Sequence, residues 1–274
     1  MKRQVHRAML YILVTLVVGV LFFPVYWMLN TSLAAHDQLY VYPPRFVHPN
    51  PTLAAYVKVF RERPMVRWLL NSLIVALLST GFSLAISVLA GYSLSRYRVW
   101  GSESLGYLLL ASRMLPGTLL VIPLFVFMSK LRLVNTLWSV TIANITFVVP
   151  FATWMLKGYF DSIPRELEEA AYIDGASRLG ALVRVTLPLS SPGLAATALY
   201  SAILAWDEYL FARTFLTTNS VWTISVGLGS FRGEYITFWN EVMAASLIGT
   251  VPIIFMFLLL ERHLISGLTA GAVK

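Results

Sequence analysis

The sequence contains no cysteine and only four histidines, and each shortage removes a class of site. Without cysteine, the 274-residue chain can form no disulfide bond, zinc–thiolate site or iron–sulfur cluster. The histidines, which are His6, His36, His48 and His263, are scattered through flanks and loops without the spacing of metal ligands. We therefore expect no metal site in this chain.

Recognisable catalytic motifs are also missing. No lysine follows a glycine, so the phosphate-binding loop of P-loop ATPases is absent, and neither HExxH nor Gly-x-Ser-x-Gly occurs. Asp207 and Glu208 are adjacent, and neighbours on a helix point about 100° apart, so these acids cannot face each other as a catalytic pair. We expect no catalytic residues and no enzymatic activity, and any ATP hydrolysis would take place on another polypeptide.

Charge is scarce. Only 12% of the residues are charged and 58% are hydrophobic, whereas soluble domains carry about 25% charged residues. This composition predicts an all-α, polytopic membrane protein with a single membrane domain over residues 1–274. The net charge of +8 indicates anchoring to anionic membrane lipid and not nucleic-acid binding.

Six apolar segments are long enough to cross a membrane as helices. They cover about residues 8–29, 71–95, 104–128, 137–159, 190–215 and 241–260. The third is predicted to break at residues 113–117, which contain Pro116-Gly117. Lysine and arginine are spread almost evenly over the two sides, so the orientation depends on the basic residues before the first span. They place both termini in the cytoplasm.

The segments outside the spans carry weaker signals. Residues 30–67 contain five prolines, four of them between residues 43 and 51, and are predicted to be irregular in their first half, with a short helix over residues 54–60. Residues 217–239 are rich in glycine and are predicted to include a short helix that dips into the membrane. Within the second span, Ser79, Ser83, Ser87, Gly91 and Ser95 recur every four residues. This stripe favours close helix packing over a polar pore lining.

The most informative stretch lies between the fourth and fifth spans. It reads Glu169-Ala170-Ala171, three residues, Gly175, nine residues, then Val-Thr-Leu-Pro ending at Pro188. A polar insert between membrane spans must be solvated or dock on a soluble partner. Ser162 is predicted to cap a first helix, Gly175 to allow a turn, and a second helix over residues 178–186 to stop near Pro188. An ordinary amphipathic interfacial loop is the simpler alternative.

This spacing resembles the EAA loop of permease subunits in binding-protein-dependent ABC importers. Residues 71–73 (Asn-Ser-Leu), 206–209 (Trp-Asp-Glu-Tyr) and 267–269 (Gly-Leu-Thr) extend the resemblance over essentially the whole chain. They resemble the carbohydrate-uptake branch, and within it the smaller permease subunit of maltose importers. The resemblance implies six transmembrane helices and a cytoplasmic EAA coupling helix, with the coupling loop at about residues 161–188.

The resemblance further implies a set of partners. A separate ATPase subunit, which would bind ATP and magnesium, would receive the coupling loop in a groove. The residues assigned to that contact are Glu169, Ala170, Ala171, Asp174, Gly175, Leu187 and Pro188. A second, related permease chain and an extracytoplasmic solute-binding protein would complete the importer in the inner or plasma membrane, with a carbohydrate as its substrate.

Five residues are candidates for the substrate path: Arg113, Asn144, Trp206, Asp207 and Glu208. Sugars are bound by stacking on aromatic rings and by hydrogen bonds to their hydroxyl groups. A charge inside a span costs at least about 2.5 kcal/mol unless it is paired or hydrated. Arg113 therefore either faces the cavity, pairs with Asp207 or Glu208, or snorkels. The resemblance departs at Arg113, where relatives more often carry an apolar or amide side chain, and this leaves the sugar open.

Two other functions compete with this interpretation. An ion-coupled secondary transporter of a small polar solute would use Asp207 and Glu208, the only acids well inside a span. It would leave the Glu-Ala-Ala spacing unexplained. A membrane-embedded enzyme or scaffold lacks a candidate catalytic set.

Overall fold

A computed structural model describes residues 2–97, 101–233 and 236–270, and helices are the only regular secondary structure in these ranges. The all-α prediction is confirmed. In chain order the helices are α1 (Lys2–Ser32), α2 (Ala54–Glu62), α3 (Met65–Arg96), α4 (Ser102–Ser112), α5 (Gly117–Lys130), α6 (Leu137–Asp161), α7 (Glu166–Ile173), α8 (Arg178–Ala181), α9 (Leu187–Leu189), α10 (Ser191–Asp207), α11 (Leu210–Phe215), α12 (Ile224–Gly229) and α13 (Trp239–Ala270). A π-helical segment, Leu182–Thr186, joins α8 to α9.

The predicted spans correspond to single helices and to bent helix pairs. By length and composition, α1, α3, α6 and α13 can each cross a membrane. Two bent pairs raise the total to six, namely α4 with α5 at 91° and residues 178–189 with α10 at 82°. The predicted break in the third span is confirmed, because α4 ends at Ser112 and Pro116 precedes α5 with an extended backbone. The two short helices predicted outside the spans are present as α2 and α12.

The fifth span differs from the prediction of one helix over residues 190–215. Helix α10 ends at Asp207, and Glu208 has an extended backbone with φ −62° and ψ 118°. The carboxylate of Glu208 accepts hydrogen bonds from the amides of Phe211 and Ala212, each at 2.7 Å. It thereby satisfies two donors at the start of α11. A continuous helix was the wrong prediction because this acid caps a new one.

The contacts group the chain into two compact units, and the first comprises residues 1–66 and 228–251. Its proline-rich segment is held by hydrogen bonds, including Thr52 amide to Leu33 carbonyl at 2.8 Å and Tyr40 hydroxyl to Thr237 carbonyl at 3.1 Å. Lys58 donates to Glu241 at 2.7 Å, and this hydrogen bond raises the pKa of Lys58 above its ordinary value. The prediction of a single permease domain over the whole chain stays a prediction.

The second unit comprises residues 67–227 and 252–274, and in it α3 packs closely against α6. Ser79, Ser83 and Ser87 are fully buried, and the Ser87 hydroxyl donates to the carbonyl of Val149 at 3.3 Å. A Cβ on Gly91 would lie 3.0 Å from the carbonyl oxygen of Thr153. The small-residue stripe is therefore a packing surface, as the sequence favoured.

A valine at position 91 should destabilise the protein, whereas a valine at position 81 should not. The side chain added by Gly91→Val would enter the backbone of α6, and overpacking of this kind costs about 1–3 kcal/mol. Gly81 lies on the same helix, and a Cβ there would meet nothing within 4 Å. Thermal unfolding of the purified variants in detergent measures the difference. Equal midpoints for Gly91→Val and Gly81→Val would contradict the packing geometry.

Candidate functional site

The polar insert folds as the predicted helix, turn and helix. Helix α7 ends at Ile173, and two residues later Gly175 turns the chain with a φ of +85°, a value that favours glycine. The amides of Gly175 and Ala176 donate back to the carbonyls of Tyr172 and Ala171, at 3.0 and 2.9 Å. This pair of bonds is a Schellman motif, so Gly175 has the predicted role in the turn. The hydroxyl of Ser177 then accepts from the amide of Gly180 at 3.1 Å and caps α8.

One local prediction for the insert was wrong, and one was right only in part. Ser162 does not cap α7, because α6 continues to Asp161 and the Ser162 hydroxyl donates to the carbonyl of Tyr159 at 2.7 Å. The second helix does stop near Pro188 as predicted, because the helical run from Arg178 ends at Leu189, but it is not a single α-helix. The π-helical segment follows α8, and Pro188 lies in the first turn of α9, where a missing amide hydrogen is tolerated.

The predicted ATPase contacts lie mostly at the surface of the insert. Glu169, Ala170, Asp174, Gly175 and Pro188 are exposed, and Ala171 and Leu187 are half-buried. The insert also exposes large apolar side chains that were not predicted as contacts, and the most exposed are Ile173, Leu179 and Val183, with exposed fractions of 87%, 62% and 54%. The sequence signal that could have identified them is the presence of large apolar residues inside a polar insert. We call Glu169, Ile173, Leu179 and Val183 the outer face of the insert.

Glu168, the residue before the predicted Glu-Ala-Ala motif, is buried with 3% of its surface exposed. Its carboxylate accepts hydrogen bonds from Arg96 Nε at 2.7 Å, Tyr92 hydroxyl at 2.8 Å and Thr186 hydroxyl at 2.7 Å. Burial opposes the charged form, but the bonds from Thr186, Arg96 and Tyr92 together hold the pKa of Glu168 below its ordinary value. The sequence analysis did not identify Glu168, because its partners come from α3 and the π-helical segment.

Arg113 lies at the break between α4 and α5 and bonds only to neutral groups. Its guanidinium donates to the carbonyl of Phe147 at 2.6 Å and to the hydroxyl of Tyr200. The guanidinium carbon is 5.9 Å from the ring centres of both Phe151 and Tyr200. Throughout the described ranges no ion pair includes Arg113, so it is paired with neither Asp207 nor Glu208.

The other substrate-path candidates lie in different environments. Asn144 and Trp206 are buried, with 5% and 4% of their surfaces exposed. The amide nitrogen of Asn144 has no hydrogen-bond partner in the part of the chain that the structure describes. Asp207 is exposed, and Glu208 is half-buried and caps α11. The aromatic ring exposed next to these acids belongs to Tyr209, at 45%, and not to Trp206.

The model of the family described as "Binding-protein-dependent transport system inner membrane component" matches residues 83–269. The chain is 39% identical to the sulfoquinovosyl glycerol transport system permease protein SmoH of Agrobacterium fabrum, over 92% of this chain and 88% of that protein. It is 37% identical to the trehalose/maltose transport system permease protein MalG of Thermococcus litoralis, over 100% of this chain and 99% of that protein.

A solved structure has a similar fold. A chain of a bacterial ABC transporter involved in the import of the acidic polysaccharide alginate superposes with a TM-score of 0.80. The match covers 94% of this chain and 96% of that chain, at 22% sequence identity. At this identity the match supports the fold and not the substrate.

Removing the Glu208 side chain should destabilise the protein more than removing that of Asp207. Glu208→Ala leaves two amide donors of α11 without their partner, and losing such a cap costs about 1–2 kcal/mol. Asp207→Ala removes an exposed neighbouring carboxylate, with an expected effect within about 0.5 kcal/mol. Thermal unfolding of the two variants measures this difference. A midpoint for Glu208→Ala at or above that of Asp207→Ala would contradict the capping role.

Proposed function

Because the chain belongs to the family of binding-protein-dependent transport system inner membrane components, we propose that it is a membrane-spanning subunit of an ATP-driven sugar importer. The observation that supports this most directly is the family match together with two relatives named for the transport of saccharides or their glycosides. An ion-coupled transporter is less well supported, since Glu208 is used as a helix cap and the insert has the fold expected of a coupling loop.

A separate ATPase subunit, which binds ATP and magnesium, docks on the outer face of the insert. The exposed side chains of Ile173, Leu179 and Val183 support such a partner, because apolar groups of this size lose contact with water when a second protein covers them. Glu169 is exposed beside them and provides a charge for a basic residue of the ATPase. In this proposal the insert lies on the cytoplasmic side, and with six spans both termini lie on that side too.

The chain forms one side of the substrate path, and a second, related permease chain forms the other. Helix α1 exposes nearly all of its apolar residues and can be covered by that chain or by lipid. A solute-binding protein delivers the sugar from outside, in agreement with the description of the family. Arg113, Asn144, Trp206 and Asp207 remain candidates along the path, and Glu208 contributes to it by holding the break between α10 and α11.

A bulky residue at position 175 should release the ATPase. Gly175→Val forces a branched side chain into a positive φ, which costs about 1–2 kcal/mol and corresponds to about a tenfold loss in docking. Gly101 has a nearly identical φ of +84° and equally open surroundings but lies outside the insert, so Gly101→Val is the matched control. Co-purification of the ATPase and its hydrolysis rate are measured. The coupling role is refuted if both variants retain the ATPase equally.

Arg113→Ala should lower uptake without loss of assembly. The guanidinium forms no ion pair with an acid in the described residues and lies near two aromatic rings, so it can bond sugar hydroxyl groups or an anionic substituent. Losing one such hydrogen bond corresponds to about a tenfold change in uptake. The measurement is uptake of radiolabelled sugar into vesicles that hold the complex. Tyr200→Phe, which removes one partner of the guanidinium but keeps the charge and the ring, is the control. Normal uptake and an unchanged range of substrates in Arg113→Ala would assign the residue a structural role.

A further inference from the structure

The buried carboxylate of Glu168 connects three separate elements of the chain. Glu168 itself belongs to α7, Tyr92 and Arg96 belong to the last turns of α3, and Thr186 ends the π-helical segment that leads to α9 and α10. The side chains of Arg96 and Glu168 have only 7% and 4% of their surfaces exposed. In contrast, Glu166 and Glu169 on the same helix are exposed. Helix α7 therefore turns one acid towards the spans and two towards solvent.

Three further contacts hold the insert against the end of α3. Arg96 also donates to the carbonyl of Ile163 at 3.2 Å, and Arg165 donates to the carbonyl of Ser95 at 2.9 Å. At the other end of α7, the hydroxyl groups of Tyr92 and Tyr172 are 3.4 Å apart. The connection thus extends along the whole of α7 and does not depend on a single pivot.

The chemistry of this connection favours a fixed geometry over simple burial. Apolar side chains of similar volume could bury the same surface, often with equal or greater stability. A carboxylate that accepts hydrogen bonds from a guanidinium and two hydroxyl groups also fixes the relative orientation of the elements that carry them, because each donor must lie near a lone pair of the carboxylate oxygens. Replacing one partner leaves a buried charge or donor without compensation, so the arrangement resists partial opening.

We propose that Glu168 is the positioning residue of the coupling loop, which fastens α7 to the end of α3 and to the segment that leads into α10. This inference rests on the proposed function, in which an ATPase docks on the outer face of the insert. A displacement of α7 by that ATPase would then move α3 and the start of α10 together. The residue would act through its three partners and would touch neither ATP nor the transported sugar.

The test is a distance measurement in the assembled complex. Spin labels are attached at Ser93→Cys on α3 and Glu166→Cys on α7, two exposed positions in a chain that has no native cysteine. Accessible cysteines of the partner subunits are replaced. The distance between the labels is recorded by double electron–electron resonance, without nucleotide and with Mg·ATP.

We compare Glu168→Gln, which keeps the size of the side chain but removes its charge, with Asp161→Asn as the matched control. Asp161 forms an exposed ion pair with Lys157 at 2.6 Å, with side-chain exposed fractions of 43% and 30%. Such surface pairs contribute little. With native Glu168, and in the control, we expect one narrow distance that Mg·ATP does not change. In Glu168→Gln we expect a broader distribution that shifts when Mg·ATP is added.

Either of two results overturns the proposal: a distance in Glu168→Gln as narrow and constant as with native Glu168, or a shift on Mg·ATP with native Glu168. If Glu168→Gln does not assemble, Thr186→Val decides, since it removes one hydroxyl donor and leaves the ion pair with Arg96. A narrow, constant distance in Thr186→Val would then refute the positioning role of Glu168. A complex with native Glu168 that retains no ATPase would instead refute the proposed function, so the two failures are distinguishable.

Discussion

The dominant constraint on this chain is that a lipid environment leaves no water for the backbone. Every amide and carbonyl within the membrane must find a partner in the protein, so spans are helical and every interruption needs its own solution. Two interruptions in the described part of the chain illustrate such solutions. At the first break Pro116, which has no amide hydrogen, precedes α5. At the second, the carboxylate of Glu208 accepts from two amides of α11. Both breaks are therefore compatible with burial.

Charged side chains inside and beside the spans follow the same constraint in two different ways. Arg96 and Glu168 neutralise each other at the end of α3, where the chain leaves the spans for the insert. Among the described residues, Arg113 has a carbonyl, a hydroxyl and two aromatic rings as the partners of its positive charge. These groups orient the guanidinium without cancelling its charge. The ion pair is thus suited to holding two elements together, and Arg113 is suited to reversible binding of a polar or anionic group.

Local sequence signals were sufficient wherever one residue decides the local backbone. The apolar runs predicted the helices, Pro116-Gly117 predicted the break after α4, and the glycine in the motif predicted the turn at position 175. The repeat of small residues predicted a close approach of two helices, which Gly91 and α6 form. Each of these signals depends on sterics within a few residues and does not require knowledge of which elements meet.

The role of Glu168 could not be predicted in this way, because Glu168 and Glu169 are chemically identical neighbours in the sequence. Only the orientation of α7 against α3 decides that one carboxylate is buried and the other is exposed. The same holds for Glu208, which was a substrate-path candidate because it lies inside the predicted fifth span, and whose bonds to the amides of Phe211 and Ala212 could not be read from the sequence. The resemblance to a motif identified the loop, but the packing of α7 determines which of its acids is exposed and which is buried. Because adjacent residues on a helix point about 100° apart, the two acids can serve both sides of the loop at once.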